Sequence, residues 1–381
     1  MSWFRRINFL ALCLCFGVVV LGAYVRLSDA GLGCPDWPGC YGHVGVPQAD
    51  HEIALAEQKY PERPVEIDKA WKEMVHRYFA STLGLLIVVL AFMSLRLRDQ
   101  GVPRKLPWFL VGLVIFQGIL GMWTVTELLK PLIVTGHLLG GMTTLSLLFW
   151  MWLAAGSKAP AASPPSRERE YRSERHVAFE LQREQPAQAA IPPPPSGLRR
   201  WAGIALLLLV CQIFLGGWTS TNYAALACPD LPTCHGRWLP ELDVKTAFTL
   251  WHGLGIDYEH GILDARARVT IHFFHRVGAI VVTAALLLLG LLLWRRGESR
   301  LWKGLGVAVI AALALQVGLG ISNVVFNLPL AVAVAHNGGG AALLLVLVLV
   351  NYRLRQPAHA TRQTEPASIS NTTGQLDLPR A

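Results

Sequence analysis

Residues 73–95 read EMVHRYFASTLGLLIVVLAFMSL, and residues 272–294 read HFFHRVGAIVVTAALLLLGLLLW. Each is a long apolar run with a histidine-arginine pair near its start: His76-Arg77 in one and His275-Arg276 in the other, offset by 199 residues (275 − 76). About 20 apolar residues suffice to cross the hydrocarbon core of a bilayer as a helix. Only helices or closed barrels satisfy their backbone there, and these runs are far too long for barrel strands. The two stretches therefore predict membrane helices, and their likeness predicts a duplication.

Six more runs of this kind follow from the same reading. The eight lie at roughly 7–25, 73–95, 107–126, 132–153, 201–219, 269–294, 304–323 and 330–351. The chain of 381 residues is 53% hydrophobic and 15% charged, which excludes an ordinary soluble domain. The first run starts on Arg5 and Arg6, as a signal peptide would, but no small-residue cleavage site follows it. It is read as a retained helix.

The formal net charge of +9 is no nucleic-acid signal, because of where the charge lies. Lys and Arg gather in alternate connections: Arg5 and Arg6; Arg96, Arg98, Arg104 and Lys105; the 157–200 segment; Arg295, Arg296, Arg300 and Lys303; Arg353, Arg355 and Arg362. The intervening connections carry Asp50, Glu52, Glu57, Glu62, Glu66 and Asp68, and then Glu241, Asp243, Asp257, Glu259 and Asp264. Cytoplasmic connections are the basic ones. Both termini are thus expected inside and the two long structured loops outside.

Further landmarks repeat. Cys34-Pro35-Asp36-Trp37-Pro38-Gly39-Cys40 matches Cys228-Pro229-Asp230-Leu231-Pro232-Thr233-Cys234 at an offset of 194 (228 − 34). Gln117-Gly118-Ile119-Leu120-Gly121 matches Gln316-Val317-Gly318-Leu319-Gly320, and Gly136-His137 matches Ala335-His336, both at 199. Four spans separate the copies, an even number, so the halves share one orientation about an axis along the membrane normal. The expected fold is all-α: eight transmembrane helices as two tandem pseudo-symmetric four-helix bundles. The first bundle is 1–156 and the second 201–355. A Pro/Arg-rich cytoplasmic linker occupies 157–200, with a short helix near 167–183, and a disordered cytoplasmic tail occupies 356–381.

An ionisable group inside a membrane helix costs several kcal/mol (roughly 2.5–3.5 or more) unless it is paired or ligating. His76, His137, His275 and His336 each fall within about two turns of the outer end of the second, fourth, sixth and eighth spans. Two such histidines at matched depth on parallel helices can clamp a haem iron from both sides. Arg77 and Arg276 are either interfacial cations reaching water or partners for anionic haem propionates. Gln117 and Gln316 read as interhelical hydrogen-bond formers. Glu73 lies one turn before His76, on the same face, where the second copy has His272. A carboxylate beside a haem can move protons or stabilise a developing cation, so the first half reads as the chemical one and the second as the holder of a permanent cofactor.

Cys13, Cys15 and Cys211 read as packing residues inside helices. The outer-loop cysteines, Cys34 with Cys40 and Cys228 with Cys234, read as disulfides in an oxidising compartment or as a four-thiolate zinc site if the loops converge. His43, His51, His235, His252 and His260 in outer loops, and His176 and His359 inside, read as solvated.

The string Val25-Arg26-Leu27-Ser28-Asp29-Ala30-Gly31-Leu32-Gly33-Cys34-Pro35-Asp36-Trp37-Pro38, with Glu73-Met74-Val75-His76-Arg77, His275-Arg276 and the later histidines, closely resembles haem A synthase. The resemblance covers nearly the whole chain except linker and tail. It implies oxidation of the C8 methyl of haem O to a formyl group by two successive hydroxylations, giving haem A for cytochrome c oxidase. It implies that His76 and His137 flank the substrate haem O, that Glu73 is the catalytic carboxylate, that His275 and His336 ligate a haem b cofactor, and that Cys34–Cys40 and Cys228–Cys234 are disulfides. It places the chain in the inner (plasma) membrane as a multi-pass protein with its haem sites near the outer face. Its partners would be membrane lipid, haem O synthase as upstream donor, cytochrome c oxidase assembly downstream, an electron-transfer partner of unknown identity and, as an option, a second copy in a homo-oligomer, with no nucleic acid. The competing reading is a dihaem cytochrome b-type quinol or electron-transfer protein.

Overall fold

The computed structural model describes residues 3–97, 102–157, 195, 197–253 and 255–356. Among them are eight helices long and apolar enough to cross a membrane. In chain order these are α1 (Trp3–Leu27), α3 (Ile67–Arg96), α4 (Lys105–Thr126), α5 (Pro131–Ser157), α6 (Leu198–Thr221), α8 (Ala265–Arg296), α9 (Arg300–Val325) and α10 (Leu330–Arg355). Two short helices, α2 (Asp50–Lys59) and α7 (Val244–Ala247), lie in the connections between α1 and α3 and between α6 and α8. No strand occurs among the described residues; extended pairing is limited to the isolated bridges Cys40–His43 and Cys234–Arg237. The expected linker falls almost wholly outside the described residues, as do the helix near 167–183 and the tail beyond 356.

In the first half α1 packs on α3, α3 on α4, α4 on α5 and α5 back on α1; in the second, α6, α8, α9 and α10 close the same cycle. The halves meet through α1–α10, α5–α6 and α5–α10. One buried apolar cluster runs through both, including Phe4, Leu145, Leu148, Leu289, Trp302 and Leu347. Lipid tails are as apolar as leucine, so in a membrane this cluster holds by close packing rather than by expulsion of water. Gly217 shows how close: a methyl group there would lie 2.9 Å from Leu138 Cδ2 on α5.

The duplication extends to backbone detail. Cis peptides occur at Trp37–Pro38 and Leu231–Pro232, and positive φ recurs at Asp29 and Tyr223, Tyr41 and His235, and Leu128–Leu129 and Asn327–Leu328. The halves also lock together outside the membrane. Arg63 places Nη1 2.5 Å from Glu259 and Nη2 2.5 Å from Asp257. Lys130, buried, donates to the Gly253 carbonyl at 2.8 Å and lies 3.3 Å from the centre of the Trp251 ring. The Arg26 guanidinium donates to the Ser220 carbonyl at 2.9 Å and covers the Tyr223 ring. Such pairs cost less to desolvate when each cation keeps a carbonyl, carboxylate or ring face as partner. Cys15 is buried as expected, but Cys13 and Cys211 are exposed. They lie on apolar helix surface, where a small, weakly polar thiol is tolerated in lipid.

Candidate functional site

The four membrane histidines share one packing geometry. A methyl group built on Gly22 of α1 would lie 2.9 Å from Cε1 of His76 on α3, and one on Gly121 of α4 would lie 3.4 Å from Cε1 of His137 on α5. In the second half Gly216 of α6 stands 3.3 Å from His275 Cε1, and Gly320 of α9 3.1 Å from His336 Cε1, measured the same way. A side chain would collide with the ring at Gly22, would be tight at Gly320 and Gly216, and would make an ordinary contact at Gly121. The glycines that touch the rings are on the adjacent helix, not beside His137 and His336 on their own helix. Their signal was available, since Gly22 and Gly216 are 194 apart and Gly121 and Gly320 are 199 apart.

His275 and His336 both line one cavity, together with Gln212, Gln316 and, from α5 of the first half, Leu138 and Met142. His76 Nδ1 and His137 Nδ1 are buried and have no hydrogen-bond partner. Paired imidazoles with free nitrogens, glycine notches and an apolar surround suit an iron porphyrin held between two helices.

The halves differ one turn before the first histidine. Glu73, buried on α3, accepts the Cys34 amide hydrogen at Oε2, 2.9 Å away, and pairs through Oε1 with Arg77. In the second half the Cys228 amide lies 3.1 Å from His272 Nδ1, and Arg276 Nε lies 3.3 Å from His272 Nε2. A carboxylate has lone pairs for both donors. A neutral imidazole has one acceptor nitrogen and can take only one of them.

Arg77 and Arg276 fasten loops. Arg77 Nη1 donates to the carbonyls of Asp36 (3.1 Å) and Gly39 (2.5 Å), and Arg276 donates to those of Asp230 (2.8 Å), Thr233 (2.9 Å) and Cys228 (2.6 Å). These loops are closed by the disulfides Cys34–Cys40 and Cys228–Cys234, each with Cα atoms 4.8 Å apart. All four outer-loop thiols are consumed, and the described residues contain no cluster of three or more candidate metal ligands, so the four-thiolate zinc alternative falls. The repeated aspartate explains the rest of the motif. Asp36 accepts the amides of Tyr41 (2.6 Å) and Gly42 (2.7 Å), and Asp230 those of His235 (2.6 Å) and Gly236 (3.0 Å). The Thr233 hydroxyl and then the Gly236 amide hold the Asp230 carboxyl well below the usual carboxylate range.

The glutamines also differ between halves. Gln316 Nε2 stands 3.3 Å from His336 Nδ1, whereas Gln117 Nε2 is buried without a partner. Gln212, which the sequence reading passed over, reaches His275 at two points. It was hidden because a single glutamine in an apolar run reads as helix-packing polar glue.

A multi-pass membrane protein with a duplicated helical core and a histidine pair in each copy is the class these features define. The chain matches the family described as Cytochrome oxidase assembly protein (COX15-CtaA) over residues 5–348, and it belongs to that family. It is 46% identical to the Heme A synthase of Shewanella oneidensis over 361 residues, covering 95% of this chain and 98% of that protein. It is 27% identical to the Heme A synthase of Caulobacter vibrioides, covering 92% and 95%, and 25% identical to that of Shouchella clausii, covering 81% of each.

Proposed function

We propose that this protein is a haem A synthase, an oxidoreductase that converts the C8 methyl of haem O to a formyl group. The observation that carries the proposal is Glu73, a buried carboxylate one turn from His76 and held by the Cys34 amide and Arg77. Electron transfer alone has no use for such a group, which weighs against the cytochrome b-type reading. The similarity to haem A synthases over nearly the whole chain supports the same assignment.

In this reading His76 and His137 flank the substrate haem O, and His275 and His336 hold haem b. Haem b, when bound, supplies a one-electron carrier. Glu73 offers a carboxyl group one turn from the substrate histidine. From there it stabilises positive charge developing at the methyl carbon and accepts the proton released on oxidation. The Cys34 N–H and Arg77 keep the carboxylate in place between turnovers. A propionate role for Arg77 and Arg276 is supported by their position one residue beyond each histidine; the same cations hold the disulfide loops. The bundle 1–156 is the catalytic half and 201–355 the cofactor half. The basic connections on one side support a reading with both termini in the cytoplasm, an inner-membrane location and the haem sites near the outer face. Haem O synthase upstream, the assembly of cytochrome c oxidase downstream, a separate electron-transfer partner and a homo-oligomer complete the proposal.

The test is expression with a haem O source, followed by haem extraction. Haem A in the extract is the expected result. Only haem B and haem O, from protein that is fully loaded, would overturn the synthase reading.

A further inference from the structure

We infer that Gln212 is a positioning residue for His275, and that it makes the second-half haem site retentive where the first-half site is exchangeable. The inference rests on the reading above, in which His275 is a haem b ligand.

Gln212 Nε2 on α6 lies 2.9 Å from the His275 carbonyl oxygen and 3.1 Å from His275 Nδ1. The first contact ties the amide to the backbone of α8, and the second fixes the Nδ1 edge of the ring. The same NH2 group faces both a carbonyl oxygen and Nδ1, so the ring as it stands accepts at Nδ1 and carries its proton on Nε2, the nitrogen left for the cavity that His275 lines. Iron ligation through Nε2 requires the other tautomer, with the proton on Nδ1, and a half-turn of the Gln212 amide about Cγ–Cδ presents Oε1 as its acceptor. Gln212 Oε1 is buried without a partner of its own, so that half-turn breaks no bond at the oxygen. Histidines that ligate metals generally hand their second ring nitrogen to such a partner, which fixes ring orientation and raises ligand basicity.

The first half lacks the whole device. At the position of Gln212, 194 residues earlier (212 − 194), stands Val18, an aliphatic side chain with no hydrogen bond to offer. His76 Nδ1 is correspondingly buried without a partner. The room for the amide is also specific to the second half. Gly278 lies against Gln212 so closely that any Cβ there would collide with Oε1, and 199 residues earlier (278 − 199) the chain has Phe79. Two sites thus share histidines and glycine notches but differ in whether the first ligand ring is fixed. A site that must admit haem O and release haem A at every turnover gains from an unfixed ring; a permanent cofactor site gains from a fixed one.

The test compares Gln212→Val, which copies Val18, and Gly278→Ala, which keeps the amide but displaces it, with the full-length wild type and His275→Ala. Each is purified and its haem b is challenged with excess apomyoglobin. The rate of haem transfer, the midpoint potential and the low-spin ferric spectrum are recorded. The expected result is transfer roughly 10–100-fold faster in Gln212→Val, with a shifted potential and spectrum, and a smaller change of the same sign in Gly278→Ala. If Gln212→Val does not accumulate, Gly278→Ala decides by the same criteria. Transfer within about twofold of wild type and an unchanged potential, while His275→Ala loses the haem, would overturn the role of Gln212 and leave the ligation reading intact. Retention of the same low-spin haem by His275→Ala would overturn the ligation reading itself.

Discussion

The two outer loops that cap α3 and α8 are nearly superimposable in plan. Each has a six-residue disulfide separation, a cis proline, an aspartate gathering two amides and an arginine from the helix below gathering its carbonyls. Beneath them the copies part. The first presents Glu73 to the loop amide and the second His272. One turn deeper, His275 has Gln212 on its ring and His76 has none. The lesson is where change was tolerated. Residues that set backbone path recur in both copies, whereas Glu73 against His272 and Val18 against Gln212 change the charge and the hydrogen bonding around the first histidine.

The comparison breaks most easily at Glu73. Replacing it by glutamine keeps the volume and an acceptor for the Cys34 amide but removes the charge. In the proposed mechanism Glu73→Gln retains bound haem and lowers haem A formation by roughly 10²–10⁴-fold. Product analysis against haem content per protein checks this, and near-normal formation would remove Glu73 from the mechanism. His272→Gln, the matching change in the other copy, should leave formation within about threefold of wild type, because in that mechanism His272 does not stand beside the substrate haem.

A middle-sized effect is expected from the disulfides. Opening a loop of this length releases about 2 kcal/mol of chain-entropy restraint. Cys34→Ser with Cys40→Ser and Cys228→Ser with Cys234→Ser should therefore lower thermal stability in detergent by similar amounts. They should differ in activity. The first pair frees the Cys34 amide that holds Glu73 and should slow formyl production in the remaining folded protein; the second should not. Equal activity losses per folded molecule would show that the loops matter only as staples.

Much of this was readable in the chain. Length and hydropathy alone located the eight spans, because lipid leaves a helix no alternative. The offsets of 194 and 199 exposed the duplication and its histidines. The helix starts were read too late: α3 begins at Ile67 rather than near 73, and α8 at Ala265 rather than near 269. Those added turns are polar and stand outside the hydrocarbon. They are held by contacts such as Lys69 on Glu66 at 2.8 Å and by the cap from Asp264 to the Ala267 amide at 2.7 Å. Helix α2 was missed for the same reason, since its acidic surface has no membrane signal. The ties from Arg63 to Asp257 and Glu259 join residues almost two hundred positions apart, and nothing local announces them. Gln212 needed its partner ring to be recognised.

The smallest effect concerns the aspartates of the two loops. Asp230 takes its hydroxyl donor from within the loop, because Thr233 stands where the first loop has Gly39, whereas Asp36 takes a longer one from Tyr60, 3.3 Å away. The Thr233 hydroxyl, then the Gly236 amide, depress the Asp230 pKa below the ordinary aspartate value of about 3.9. A depressed carboxylate contributes stability that is full above its unfolded pKa and lost as pH falls through its folded one. The second loop should therefore keep the His235 and Gly236 amides protected at neutral and mildly acid pH, and release them only below the usual carboxylate range. Thr233→Val removes the hydroxyl at nearly constant volume, so the acid limb of that protection should move upward toward 3.9 while haem content and activity at neutral pH stay unchanged. Hydrogen exchange at His235 and Gly236, corrected for intrinsic rates, reads this directly. If the acid limb did not move, the Thr233 hydroxyl would be idle and the two aspartate clamps would be equivalent after all.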